Sequence, residues 1–261
     1  MDLGLGDRIA VVTGGASNIG RAISHVLAAE GATVAILDRD QEMADRTAAE
    51  ITASGGAACV YPVDLTDTAA TQAATDAIDT DLGPIAVLVN NVGWNGPAAF
   101  FLDLPPERWA QAWQLNVLPT LNATRAVLAG MVERRRGAIV SIASDAGFGE
   151  FRMGDYGPMK AGVMAFTRII AKEYGRYGIR ANTVCPGLVI PEPDAIGAGS
   201  LWQADIGFGE KQITDMEKAT PLRRRPEAID IANSVAWLAS DTARMLTGQV
   251  VSVSGGFNMP R

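Results

Sequence analysis

The chain of 261 residues has one histidine, His25, and two cysteines, Cys59 and Cys185. A single histidine excludes a His-rich metal site, and no metal is expected. His25 falls inside a helical pattern, where a packing or surface role is expected. Two cysteines far apart make no disulfide framework, which fits a reducing compartment and a cytoplasmic location. No apolar run approaches the roughly 18 residues of a membrane span. The first six residues lack a basic region followed by an apolar segment, so no signal peptide is expected. Positive charge is also short: 22 Lys and Arg stand against 29 Asp and Glu, a net charge of -7. The dense basic clusters are residues 134–136 and 223–225. An acidic chain argues against nucleic acid as a partner, and neither nucleic acid nor membrane is expected; the expected partner is a small-molecule substrate.

What is present is apolar, 48% of the residues, and ordered in alternation. Strand-length runs such as IAVVT (9–13), TVAILD (33–38), AACVYPVD (57–64), IAVLVNN (85–91), AIVSIAS (138–144), RANTVCP (180–186) and QVVSVSGG (249–256) are separated by helical patterns. Continuous apolar strands joined by helices predict a parallel sheet covered on both faces. The expected fold is a single α/β domain, a doubly wound Rossmann domain with a seven-stranded parallel sheet over residues 1–261. One long helical region is predicted from about Pro105 to Arg135, with Pro119 inside it, and another from Tyr156 to about Tyr177. The least regular stretch, about 187–226, is read as a substrate lid with short helices, because a loop this long in a compact domain is usually functional.

TGGASNIG (13–20) follows the first strand and opens the first helix. Helix-start N–H groups attract a pyrophosphate, and glycines let it approach. Asp38 ends the second strand, 18 residues after Gly20. A carboxylate there accepts hydrogen bonds from ribose hydroxyls and repels a 2′-phosphate, which favours NAD over NADP. Arg39 beside it pulls the other way. Asp38 is also a candidate N-cap for the next helix, and both roles can hold together.

DYGPMK (155–160) places Tyr156 and Lys160 one helical turn apart on one face. Locally this is either a solvated pair or a catalytic acid with its tuning charge. The motifs TGGASNIG, Val63-Asp64, NNVG (90–93), Asn116, Ser144, YGPMK and Pro186-Gly187 occur in an order that resembles the short-chain dehydrogenase/reductase family over nearly the whole chain. The resemblance implies hydride transfer between a secondary alcohol and its ketone, with Asn116, Ser144, Tyr156 and Lys160 as the catalytic set. It implies a dinucleotide held at Gly14, Ser17, Asn18, Ile19 and Gly20, and at Asp38 and Arg39. Asp64, Leu65, Asn91 and Gly93 continue that site, and Tyr156, Lys160, Pro186, Gly187 and Val189 complete it. Lys160 is expected to lower the Tyr156 pKa from its ordinary value of about 10. Ser144 is expected to hold the substrate oxygen, and Asn116 to distort its helix and hold a water that relays protons. Family members are usually tetramers, so a homotetramer is implied.

Three positions depart from the family pattern. Asn18 stands where glycine is usual, and asparagine tolerates the left-handed region better than most residues. Val92 stands where alanine is usual. Pro191 replaces a threonine that touches the nicotinamide carboxamide, a contact expected to pass to backbone near Val189.

Candidate substrate-pocket residues are Trp94, Asn95, Ser144, Phe148, Glu150, Phe151, Leu188, Trp202 and Phe208, which suit a bulky apolar or cyclic substrate. Phrases such as LVNNVGW and TGQVVSVSGG are similar to 2-hydroxycyclohexanecarboxyl-CoA dehydrogenases, which implies a cyclic hydroxyacyl-CoA, with residues 223–225 near the CoA phosphates or simply a solvated basic turn. Two other functions compete: a 3-oxoacyl thioester reductase using NADPH, and a dinucleotide-sensing protein without turnover.

Overall fold

The computed structural model describes residues 2–197, 200 and 209–259. Its strands are β1 (Ile9–Thr13), β2 (Thr33–Asp38), β3 (Ala57–Pro62), β4 (Ile85–Asn90), β5 (Gly137–Ile142), β6 (Ile179–Pro186) and β7 (Val250–Val253). They form one seven-stranded sheet in the order β3-β2-β1-β4-β5-β6-β7, every pair parallel. The helices are α1 (Asn18–Ala29), α2 (Gln41–Ala53), α3 (Thr68–Asp81), α4 (Glu107–Asn116), α5 (Leu118–Arg134), α6 (Tyr156–Tyr174), α7 (Glu210–Ala219) and α8 (Ala228–Ala239).

Side chains alternate across a strand, so each strand feeds two cores. Ala10, Val12, Val34 and Ile36 pack with α1, α2 and α8 on one face. Ile9, Val11, Leu37 and Leu88 pack with α3, α5 and α6 on the other. This is why the strands read as unbroken apolar runs. Burying each such side chain stabilises the fold by about 1.5–3 kcal/mol. The strand order reverses between β1 and β4, and the loops there leave from the carboxyl ends of the strands, where open α/β sheets bind ligands.

Three expectations need correction. The predicted helix of residues 105–135 is two helices, parted at Val117 (φ -106, ψ -50). Pro119 sits in the first turn of α5, where its missing N–H breaks no ladder, and the Asn116 side chain turns outward from α4. Asp38 is not the N-cap of α2: Asp40 is, accepting from the Met43 N–H. Finally, α6 stops at Tyr174 and gives way to a short 3-10 turn over Gly175–Tyr177.

Candidate active site

The turn after β1 is shaped by close approaches. Gly14 has φ +60 and its N–H donates to the Leu37 carbonyl at 2.7 Å. A Cβ on Gly20 would lie 1.9 Å from the Gly14 carbonyl oxygen, so only glycine closes this turn. Asn18 adopts φ 46, the left-handed conformation expected of a glycine substitute. α1 begins at Ser17 with no side-chain cap and no acidic residue in its first turn. Its orphan N–H groups therefore face the cleft as an anion-binding end. Ser17, Asn18, Ile19 and Gly20 all line that cleft.

Asp38 lines the same cleft. Its carboxylate accepts from the Ala16 N–H (3.1 Å) and the Asp40 N–H (3.1 Å). Burial still raises its pKa above the ordinary value, against those backbone donors. Asp64, after β3, accepts from the N–H (2.9 Å) and hydroxyl (2.8 Å) of Thr66, which hold its carboxyl below the usual range; the nearby Arg39 charge adds to this. Arg39 and Leu65 also line the cleft. Asn91 faces it too, but its amide donates to the carbonyls of Thr13 (3.1 Å) and Gly14 (3.0 Å), which ties the end of β4 to the glycine turn. Val92 packs over that turn: a Cβ on Gly14 would meet its methyl at 3.1 Å. Gly93 is forced by crowding, because a Cβ there would lie 2.6 Å from Lys160 Nζ and 2.9 Å from Asn116 Oδ1. Pro186, Gly187 and Val189 form the wall beyond β6, while Pro191 lies outside it. These glycines and bare N–H groups make a backbone cradle suited to a phosphate-bearing ligand.

The chemistry-bearing side chains converge beyond β5. Ser144 follows the strand in an extended conformation; its hydroxyl accepts from the Ala146 N–H (3.2 Å) and hydrogen-bonds the Tyr156 phenol. Tyr156 is the first residue of α6, capped by Asp155, which accepts its N–H at 3.0 Å. Pro158 falls in that first turn. Lys160 is 2% exposed, with Nζ donating to the Ile142 carbonyl at 3.0 Å and lying 5.7 Å from the Tyr156 ring centroid. Burial pulls the Lys160 pKa down to about 8. The expected fall in the Tyr156 pKa is not what the protein alone produces. Tyr156 keeps part of its ring toward the cleft, yet burial pushes its phenol above the ordinary value, opposed by the Ser144 hydrogen bond. Cys185, close by in β6, is a buried thiol pushed up to about 12 and therefore unreactive.

Asn116 lies behind the cleft wall, fully buried. Its amide donates to the carbonyls of Trp94 (2.8 Å) and Ala112 (2.9 Å), and its oxygen accepts from the Trp94 N–H (3.0 Å). Both amide protons are thus committed to backbone. This pairing ends α4 and clips the loop after β4 to it.

Of the predicted pocket residues, Trp94, Asn95, Ser144, Glu150 and Leu188 line the cleft. Phe148 and Phe151 do not; Phe151 is 67% exposed and packs edge-on against Phe100 at 5.3 Å. Trp202 and Phe208 lie outside the described residues. Sequence reasoning missed Met153, Phe257 and one face of α7, formed by Ile213, Met216, Glu217 and Thr220. The last four recur at i, i+3, i+4 and i+7, a helical signal readable inside the irregular stretch. Of the second arginine cluster only Arg225 reaches the cleft, paired with Glu217 at 2.9 Å. Residues 134–136 are exposed; Arg134 donates to the carbonyl of Ile85, the first residue of β4, at the opposite end of the sheet. His25 contacts Glu50 at 3.3 Å, away from the site.

A family model described as enoyl-(acyl carrier protein) reductase matches residues 14–258. Among curated proteins, a 2-(S)-hydroxypropyl-CoM dehydrogenase of Xanthobacter autotrophicus is 35% identical, over 97% of each chain. A 2,3-dihydro-2,3-dihydroxybenzoate dehydrogenase of Bacillus subtilis is 33% identical, again over 97% of each. Among solved structures, an NAD+-bound xylitol dehydrogenase superposes with a TM-score of 0.87 at 30% identity, covering 97% of this chain and 99% of its own. With the ordered motifs folded into one cleft and likeness along almost the whole length, the chain belongs to the short-chain dehydrogenase/reductase family of nicotinamide-dinucleotide oxidoreductases.

Proposed function

We propose that this protein is an NAD-dependent dehydrogenase that interconverts a bulky secondary alcohol, cyclic or aryl and free or CoA-linked, with its ketone. The observation that carries the reading is the convergence of Ser144, Tyr156 and Lys160 in the same cleft as the glycine turn and Asp38.

The dinucleotide, bound along the glycine turn, supplies the hydride acceptor for oxidation or the donor for reduction. The chain's own residues handle the substrate oxygen. The Ser144 hydroxyl holds it and places it against the Tyr156 phenol. During oxidation the phenolate of Tyr156 takes the hydroxyl proton; during reduction the phenol returns it. Burial alone opposes the phenolate, so oxidation needs positive charge nearby. Lys160 supplies one charge: burial lowers its pKa to about 8, still above neutral, so the ammonium persists at pH 7. Gly93 leaves the space in which its ammonium sits. Asn116 shapes the loop of Gly93 and Trp94 through its side chain, and the water relay is proposed beside that role.

Asp38 supports NAD: its carboxylate has spare lone pairs facing the cleft and would repel a 2′-phosphate. Arg39 at the same end is the feature that favours the second reading, a 3-oxoacyl thioester reductase using NADPH. Trp94, Leu188, Met153 and Met216 give the substrate region an apolar lining that suits a ring or an aryl group. The α7 segment serves as its lid. The exposed Trp237 and Ile229 on α8 support a homotetramer, which a monomer in light scattering would overturn.

The test is NADH formation from cyclic and aryl secondary alcohols and from 2-hydroxycyclohexanecarboxyl-CoA, with NAD+ and NADP+ in parallel. Tyr156→Phe is expected to lose about a thousandfold in kcat with NAD+ binding unchanged. Turnover preserved in that variant would sink the reading and favour a sensing role.

A further inference from the structure

The cleft wall and the catalytic helix are joined by a buried ion pair that the proposed chemistry leaves out. Arg108 of α4 and Asp155, the N-cap of α6, lie 2.5 Å apart with side chains only 16% and 5% exposed. One carboxylate oxygen of Asp155 accepts the Tyr156 N–H; the other faces Arg108. The guanidinium also donates to the Pro97 carbonyl at 3.0 Å. Nη2 makes the ion pair, and Nε has no hydrogen-bond partner among the described residues. Gly96 lies directly against it: a Cβ there would be 2.7 Å from the guanidinium carbon and 3.1 Å from the Trp94 ring. α4 therefore grips the loop after β4 twice, through Asn116 at Trp94 and through Arg108 at Pro97, and the second grip continues into the residue before Tyr156.

We propose that Arg108 and Asp155 are positioning residues that fix Tyr156 against the Trp94 wall and hold the charge beside it at zero. The proposal rests on Tyr156 being the proton-transfer group. Two physical arguments carry it. The guanidinium is held by one carbonyl, that of Pro97, and by a single carboxylate, that of Asp155, so losing either charge leaves the other buried and unpaired. The pair also sits at the N-cap next to Tyr156, whose backbone N–H it accepts, and an unbalanced buried charge there would act on the phenol through the low-dielectric interior. The other groups facing Tyr156 are Lys160 on its own helix, Ser144 beyond β5 and Cys185 in β6. None of them can offset a charge released at the N-cap, since Lys160 is committed to the Ile142 carbonyl and Cys185 stays neutral.

The experiment uses three variants of the full chain saturated with NAD+: Arg108→Gln, Asp155→Asn and the double variant. Two readouts are taken against pH. One is kcat for alcohol oxidation; the other is the tyrosinate difference absorbance measured against Tyr156→Phe, which isolates this tyrosine from the other three and needs no turnover. Arg108→Gln leaves a bare carboxylate and should move the Tyr156 midpoint up by about half a pH unit. Asp155→Asn keeps the N-cap acceptor, leaves a bare guanidinium, and should move it down by a similar amount. The double variant should return it close to the starting value. Arg108→Lys, which keeps the charge, should leave the midpoint in place while raising KM through the lost grip on Pro97. Shifts in the same direction, or no shift alongside a lower melting temperature, would overturn the proposal and reduce the pair to a structural tie. Absence of turnover with the absorbance shifts intact would instead sink the assigned reaction and leave the positioning role standing.

Discussion

The two halves of the cleft are built from different material. The half over β1, β2 and β4 is made by backbone: a turn only glycine can close, uncapped N–H groups at α1, and an Asn91 amide spent on main-chain carbonyls. The half over β5, β6 and α7 is made by side chains: Ser144, Tyr156, Lys160, Met216 and Arg225. Backbone sites tolerate almost no substitution, because no rotamer can move a carbonyl away. Side-chain sites can be rebuilt for a new ligand while the strands beneath them stay put. In the proposed reading, one half serves the dinucleotide and the other the substrate.

The sharpest way to break this contrast is Gly20→Ala. The added methyl would meet the Gly14 carbonyl at 1.9 Å and the Asn91 amide at 2.6 Å, so the turn has to open. Loss of NAD+ binding by a hundredfold or more is expected, read by NADH or NAD+ titration calorimetry; overpacking of about 3 kcal/mol corresponds to that loss. Binding within threefold of the parent would mean that the turn is not the dinucleotide cradle.

The next contrast lies between two carboxylates. Asp64 in the backbone-built half takes an N–H and a hydroxyl from Thr66 and is held below the usual range. Asp145 in the other half is 4% exposed and rests on the hydroxyls of Ser252 and Ser254. Burial pushes its pKa from 3.8 to about 6. The folded protein therefore binds this proton more tightly than the unfolded chain, and stability is lost as pH rises from about 4 through about 6. The full loss corresponds to about 3 kcal/mol at neutral pH. Asp145→Asn should raise the melting temperature at pH 7, with the gain vanishing near pH 4. An equal change at both values would show that its charge is not the cause.

Asp38→Ser offers a smaller effect within the backbone-built half. Removing the carboxylate would take away the ribose contacts and the repulsion of a 2′-phosphate that the proposed reading assigns to it. The ratio of kcat/KM for NAD+ over NADP+ should fall about tenfold, the size of a charge-assisted hydrogen bond. A ratio that stays put would hand the choice of cofactor to Arg39.

Legibility in the sequence follows the same division. The inner strands were readable because burial on both faces leaves unbroken apolar runs, and the half-buried edge strands β3 and β7 by their place in the alternation with helices. The glycine turn and Asp38 were readable from their place at strand ends, whereas the Tyr156–Lys160 spacing alone left two readings open and took its role from the ordered motifs that resemble the family. The break at Val117 was implied only by the resemblance, which puts a distortion at Asn116; the residues themselves hide it, since the partner of the Asn116 side chain is Trp94, 22 residues earlier in the chain. Phe148 and Phe151 were placed in the pocket by proximity to Ser144, but Phe151 packs on Phe100 instead. Arg225 and Glu217 needed the tertiary fold, because exposed arginines and cleft arginines look alike in a string of letters.

α7 gives the mildest test of the division, and it addresses the lid directly. Its half-buried or buried residues are Ile213, Met216, Glu217 and Thr220, and all four line the cleft; its other residues are exposed. The helix thus packs its apolar stripe against the cavity itself, and a bound substrate would complete that contact. Met216→Ala removes part of a half-buried side chain, about 1 kcal/mol of contact, so KM for a bulky alcohol should rise about fivefold. NAD+ affinity and melting temperature should barely move, because the backbone-built half and both cores are untouched. If NAD+ affinity fell as much as KM rose, α7 would be closing over the dinucleotide, and the two halves of the cleft would share one lid.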